Sequence, residues 1–166
     1  MKPLYTTLNK IRACSPCESG WQKLLKHLGK TQADDDPLLF STILESNGLD
    51  DALWCCRTTP EYNREWRLFA VWCALQVKHL TTDPRSLNAI DVAERFANGA
   101  ATQDELTAAG DAAWAAAGAA AWAAWAAAGD TARAAAMDTA MDTARAEQTK
   151  VYIWIVSGQF AEWEAK

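Results

Sequence analysis

Apolar positions in this chain recur mainly three and four residues apart, with polar joints between the apolar runs. In GWQKLLKHLGK, Trp21, Leu24, Leu25 and Leu28 share one helical face, and Gly29 stops the helix. TQADDDP reads as a polar loop. PLLFSTILESNG predicts a helix with Pro37 in its first turn and a carboxyl cap at Asn47-Gly48. LDDALWCCR predicts a shorter helix whose Asp50 and Asp51 suit the positive amino end. From Glu61 to Leu80 the pattern changes. Tyr62, Trp66, Phe69, Cys73, Val77 and Leu80 form one stripe, but Leu68, Val71, Trp72 and Leu75 make the opposite side apolar too. A helix apolar all round in its middle is expected to be buried on all sides, so this segment is the expected central helix.

Next, Asp83 is placed to cap a helix, Pro84 to take its first position and Asn98-Gly99 to close it. Thr102 and Glu105 then form a capping box that opens an alanine-rich segment. That segment contains AAWAAAG at 112–118 and again at 123–129. The offset of eleven residues is close to three helical turns, at roughly 3.67 residues per turn. At about 100° per residue, Gly110, Trp114, Gly118, Trp122, Trp125 and Gly129 share one arc about 120° wide. Rings alternate with holes, so the arc is expected to interlock with a neighbour. The other face is nearly pure alanine, the best helix former. Left bare it would be a large apolar surface, so a helix, a second subunit or a partner is expected to cover it.

DTAR (130–133 and 142–145) and a doubled MDTA (137–144) continue the segment with more charge, and a break is expected at Gly129-Asp130. VYIWIV (151–156) has strand propensity, but no second strand is legible for it to pair with, so it is read as a buried helix end. The whole reads as all-α, a single-domain bundle of about six to eight helices spanning 1–166. Residues 1–20 are open to being a loose amino-terminal segment, and 103–150 form the alanine-rich helical segment.

Composition adds mainly exclusions. The chain has 166 residues, a net charge of −5 and nine tryptophans. That charge gives no general attraction to nucleic acid. It is uneven: residues 1–30 carry six bases and one acid, and 31–60 carry six acids and one base. No signal peptide or membrane span is legible, and five cysteines without an export signal suggest thiols in a cytoplasm.

Several patterns bear on chemistry. Cys14 and Cys17 form C-x-x-C, but adjacent Cys55-Cys56 supplies no second spaced pair for zinc, and no βαβ pattern frames redox chemistry. Gly29-Lys30-Thr31 imitates the end of a phosphate-binding loop, but Leu24 stands where its first glycine would be. Asp138 and Asp142 lie four apart as an acid–base or metal pair or, more simply, as a solvated face, with Arg145 near enough to compensate. Arg57, Arg64, Arg67, His79 and Arg85, with Trp54, Trp66 and Trp72, could line an anion pocket; ion pairs with Glu61, Glu65, Asp83 and Asp91 are the plainer reading. No nucleophile–base pair is legible.

LGKTQADDDPLLFSTILESNGLDDALWCCR, REWRLFAVWCALQV, DPRSLNAIDVAERFANGAAT and the Ala/Trp-rich tail resemble an α-helical phage and bacterial family whose members are labelled immunity proteins of polymorphic toxin systems. The likeness covers about residues 12–147, with ESNGLDDALW and DPRS…DVAERFANG its most specific blocks. It implies a non-enzymatic, cytoplasmic binding protein, without cofactor or metal, that neutralises a toxin or a bacterial defence component. The residues expected to meet a partner or ligand are Arg57, Arg64, Arg67, His79, Arg85, Trp114, Trp122 and Trp125. A homodimer through the alanine-rich surface is a further expectation. The alternative is a sponge that sequesters a nucleotide-like signal in the Arg/Trp pocket.

Overall fold

The computed structural model describes residues 3–76, 78–127 and 130–160, with the side chains of residue 80 and of 118–141 outside that description. The architecture is all-α. Helices α1 (Leu8–Ala13), α2 (Glu18–Leu28), α3 (Phe40–Asn47), α4 (Leu49–Cys55), α5 (Asn63–Gln76), α6 (Pro84–Ala97), α7 (Gln103–Ala127) and α8 (Asp130–Val156) follow one another, with two short strands, β1 (Tyr5–Thr6) and β2 (Leu38–Leu39). The chain divides into two compact units. One comprises Met1–Tyr62 with Glu147–Lys166, the other Asn63–Ala146.

Local chemistry sets most helix ends. Gly29 closes α2 at φ +65°, a left-handed conformation that costs glycine least, and Gly48 follows α3 at φ +93°. The Asp83 carboxylate accepts from the Arg85 N–H with Pro84 at the first helical position, and Asn98 caps the far end of α6. At the start of α7 the capping box closes both ways: the Thr102 N–H donates to Glu105 Oε2 at 2.7 Å, and the Glu105 N–H donates to Thr102 Oγ1 at 3.2 Å.

The first unit has a core of large side chains. Phe40, Ile43, Leu8, Ile11, Leu4, Tyr152 and Ile155 are essentially inaccessible. Helix α3 packs on both α2 and α4. Two long-range bonds tie the end of α8 into this unit: the Leu4 N–H donates to the Val156 carbonyl at 2.8 Å, and the Tyr152 hydroxyl to the Ala52 carbonyl at 3.1 Å. VYIWIV is therefore a helix end, with Tyr152, Ile155 and Val156 buried and Ile153 43% exposed. The amino-terminal segment is not loose. Leu4, Thr6, Leu8 and Ile11 are buried, and β1 pairs antiparallel with β2, Tyr5 opposite Leu39 and Thr6 opposite Leu38. That pairing corrects the expected start of α3. Leu38 and Leu39 are extended, and the helix begins at Phe40 instead of Pro37.

The second unit is a run of antiparallel neighbours, with α6 packed against both α5 and α7. The Arg67 guanidinium lies 4.6 Å from the centre of the Phe96 ring, which sets the first half of α5 beside the end of α6. Arg95 reaches Glu105 at 3.8 Å across the next turn. The expected central helix differs from its forecast. Its α-helical part is shorter, with 3₁₀ turns at Pro60–Tyr62 and Lys78–Leu80. Among its described residues only Leu68, Phe69 and Val71 are buried, and Leu75 is 41% exposed. An apolar sequence on every side does not oblige every side to be covered.

On α7 the covered face is alanine: Ala109 and Ala116 are 6% and 3% exposed. A neighbour for the alanine face was expected, and α6 is that neighbour. Within the chain the described part of the ring-and-hole arc meets no neighbour. Trp114 is 83% exposed, and nothing stands within 4 Å of where a Cβ on Gly110 would be. Gly118, Trp122 and Trp125 have side-chain positions outside the described residues, as does the expected joint at Gly129; α7 ends at Ala127 and α8 begins at Asp130. No described helix is long and apolar enough to cross a membrane.

Candidate functional site

Because α6 is the middle helix of the second unit, α5 and α7 stand as walls on either side of it. Each helix presents residues spaced three, four and seven apart: Arg67, Ala70, Val71 and Ala74 from α5, Ser86, Ala89, Ile90 and Ala93 from α6, and Gly110, Ala113, Trp114 and Ala117 from α7. Together with Lys78, Thr81, Asp83 and Ala116 they line a groove of about 800 Å³. Small side chains make it. A row of leucines at these positions would fill the space that the alanines leave, since close packing is the rule in helical interiors.

Polar groups stand at its two ends. Arg67 lies at one, its charge spread over the Phe96 ring. Lys78 and Asp83 lie at the other, beside the turn between α5 and α6. Asp83 is gripped by Arg85, whose Nε and terminal nitrogen donate to its two oxygens at 3.1 and 2.7 Å. That side-chain pairing, with the Arg85 backbone N–H, lowers the Asp83 carboxyl to about 2. Between the ends, Trp114 projects from the α7 wall.

The sequence-chosen residues are therefore only partly gathered. Arg67 and Trp114 share the groove; Arg64, His79 and Arg85 do not line it. Arg64 donates to Asn98 Oδ1 at 2.8 Å, and Arg85 is taken up by Asp83, one of the ion pairs anticipated as the plainer reading. His79 is exposed on its 3₁₀ turn. Arg57 belongs to the first unit, where it stacks 4.3 Å over its neighbour Trp54 and donates to the Trp54 carbonyl at 2.8 Å. The five-residue anion pocket is not assembled as drawn from the sequence, because proximity along a helix end does not aim side chains at one point. Conversely, Lys78 and Asp83 were not chosen as groove residues, although their place at a helix-to-helix turn is a legible signal.

A second, smaller cavity of about 140 Å³ lies in the first unit, between Cys17, Gly20, Trp21, Asn47, Asp51 and Trp54 among others. The Asn47 amide donates to the Gly20 carbonyl at 2.9 Å and to Asp51 Oδ2 at 2.7 Å. Cys17 lines this space and Cys14 does not. No cysteine is in a disulfide, and among the described residues no three His, Cys, Asp or Glu side chains gather as metal ligands. Burial pushes the Cys55 and Cys56 thiols up to about 12, so both pack as small apolar groups. Lys30, from the loop-like GKT, is bound by Asp34 and by Asp36, the latter at 2.8 Å. Asp138 has its side chain outside the described residues, and Asp142 is exposed.

Fold and groove define an all-α protein with an apolar groove that carries an uncovered tryptophan. No protein-family model matches the chain, and no curated protein or solved structure matches it either.

Proposed function

We propose that this chain is a non-enzymatic binding protein that neutralises another protein, as an immunity or counter-defence protein in toxin–immunity or phage–bacterium conflict, acting in the host-cell cytoplasm. The observation that carries the reading is Trp114, 83% exposed at the rim of an alanine-walled groove. Tryptophan is enriched among residues that dominate binding energy, and a ring beside a concave apolar surface is the arrangement in which it does so. The sequence resemblance to immunity proteins supplies the biological setting.

The test places a photo-crosslinking residue at Ala117, exposed and within the groove, in cells undergoing toxin challenge or infection. The expected result is one foreign protein joined to this position, and a purified complex with it that Trp114→Ala weakens at least about tenfold. If no foreign protein is joined under challenge, or if the complex ignores Trp114→Ala, the reading is wrong.

One observation favours the alternative of a sponge for a nucleotide-like signal: Arg67 and Lys78 share the groove with Trp114, offering cations for phosphates and a ring for a base. Under this reading the protein binds at least one member of a panel of linear and cyclic nucleotides, and Arg67→Ala removes that binding. A panel without a single binder removes the alternative.

A further inference from the structure

The groove and the helix that bounds it are complementary to each other. Helix α7 has small residues along its length, a projecting ring at Trp114 and an open position one turn earlier at Gly110. The groove has small residues on all three of its helices and room for a ring at that same Gly110. In an antiparallel pair of α7 helices related by a two-fold axis near residue 112, each Trp114 falls opposite the Gly110 of the other copy. A two-fold interface uses the same patch twice, so one patch must carry both knob and hole. This one does.

Charge favours the same occupant. From Gln103 to Ala127, α7 carries Asp104, Glu105 and Asp111 and no base. The groove carries Lys78 at the α5–α6 turn and Arg67 at the opposite end, and its one acid, Asp83, is paired with Arg85. In antiparallel order the acidic start of one α7 lies toward the Lys78 end of the other copy's groove, so α7 of a second copy brings carboxylates to that cation.

We infer that this groove receives a second copy of the chain, α7 against α7 in antiparallel order, with Trp114 of each copy seated beside Gly110 of the other. The inference rests on the groove being a docking surface, as in the proposed function; the second copy and the target protein then compete for it. Two tryptophan rings contribute roughly 300–500 Å² of the about 1,200–2,000 Å² that stable interfaces bury. The rest falls to alanine walls, so the dimer is a readily exchanging one.

Sedimentation velocity on the purified full chain, from low to high micromolar concentration, tests this. The expected result is a monomer–dimer equilibrium that Trp114→Ala weakens at least about tenfold. Gly110→Leu fills the hole and weakens the dimer comparably, and because that position is open and helical it leaves the thermal midpoint unchanged or higher. A chain that stays monomeric throughout overturns the inference, as does a dimer indifferent to both substitutions. The two readings fail separately: a monomer that still joins a foreign protein at Ala117 loses only the dimer, and a dimer that joins none under challenge loses only the target.

Discussion

In the first unit the least accessible side chains are large: Phe40, Tyr152, Leu8, Ile11, Ile43 and Ile155. The second unit buries Leu68, Phe69, Val71 and Val92 on α5 and α6, but among the described side chains of α7 the buried ones are Ala109 and Ala116. Both units contain capped helix ends, Gly29 in the first and Asp83 and Asn98 in the second, and they differ in what their helices bury. Large side chains fill the space between axes, and the cavity described in the first unit is about 140 Å³. Alanines allow close approach of one pair but leave open the space beyond it, and the second unit keeps a groove of about 800 Å³. Each buried methylene adds about 0.8 kcal/mol, so each large buried side chain of the first unit contributes more than Ala109 or Ala116 does.

The sharpest way to break the comparison is to truncate one buried residue in each unit. Phe40, with 0% exposure, is expected to cost about 3–5 kcal/mol on Phe40→Ala, through lost burial and the cavity left behind. Ala116→Gly removes one methyl and adds backbone freedom, for roughly 1–2 kcal/mol. Urea unfolding of the two variants measures both. If Ala116→Gly proved as damaging as Phe40→Ala, the contrast between the units would be false.

Next in size is the tie between the end of α8 and α4. The Tyr152 hydroxyl donates to the Ala52 carbonyl inside the first unit. Tyr152→Phe keeps the ring and removes the bond, with an expected loss of about 1 kcal/mol. Unfolding midpoints of variant and parent decide this. No loss would mean that the ring alone holds the helix end.

Helix ends were legible in the sequence because they are local. Gly29, the Asp83-Pro84 pair, Asn98 and the Thr102–Glu105 box act within four residues of themselves. The beginning of α3 was not, since Leu38 and Leu39 are held extended by Tyr5 and Thr6, more than thirty residues away. Nor was the burial of the Glu61–Leu80 segment, because apolarity on every side says nothing about which sides find a neighbour. The ring-and-hole arc of α7 was legible as a pattern, and Trp114 was chosen from it. Its direction was not, because α6 takes the alanine face and only packing reveals that. Arg57, Arg64, Arg67, His79 and Arg85 were grouped by sequence proximity, and only Arg67 lines the groove.

Two glycines give a finer probe. A Cβ on Gly20, in the first unit, would stand 2.8 Å from Asp51 Oδ2 and 3.1 Å from Cys17 Sγ. Asp51 is held by the Asn47 amide, so it must give up that bond to make room. A Cβ on Gly110, in the second, meets nothing within 4 Å. Both lie in helices, where Gly→Ala is worth about 0.8–1.0 kcal/mol in propensity. Gly110→Ala is expected to gain most of that, and Gly20→Ala to gain less or to lose. Thermal unfolding of the pair provides the ranking, and the reverse order would contradict the packing described for the two units.

The smallest effect is a pH dependence specific to the second unit. Asp83 is half-buried, and the Arg85 side chain and backbone N–H lower its carboxyl from 3.8 to about 2. A carboxyl whose folded value is depressed binds its proton more readily in the unfolded chain. Its contribution to stability is therefore present above the unfolded value and is lost as pH falls from 3.8 through about 2. Asp83 both caps α6 and neutralises Arg85 at the groove's end, so protonation loosens the start of that helix before the rest of the unit. Carboxyl chemical shifts followed by NMR between neutral and acidic pH should show Asp83 titrating well below an ordinary aspartate. Backbone shifts at Arg85 and Ser86 should move with it. In Arg85→Gln, which removes the charge and shortens the reach, the Asp83 midpoint should rise toward the ordinary value. A midpoint that stays low in that variant would assign the shift to the helix amino end alone, and the ion pair at the groove would then contribute nothing.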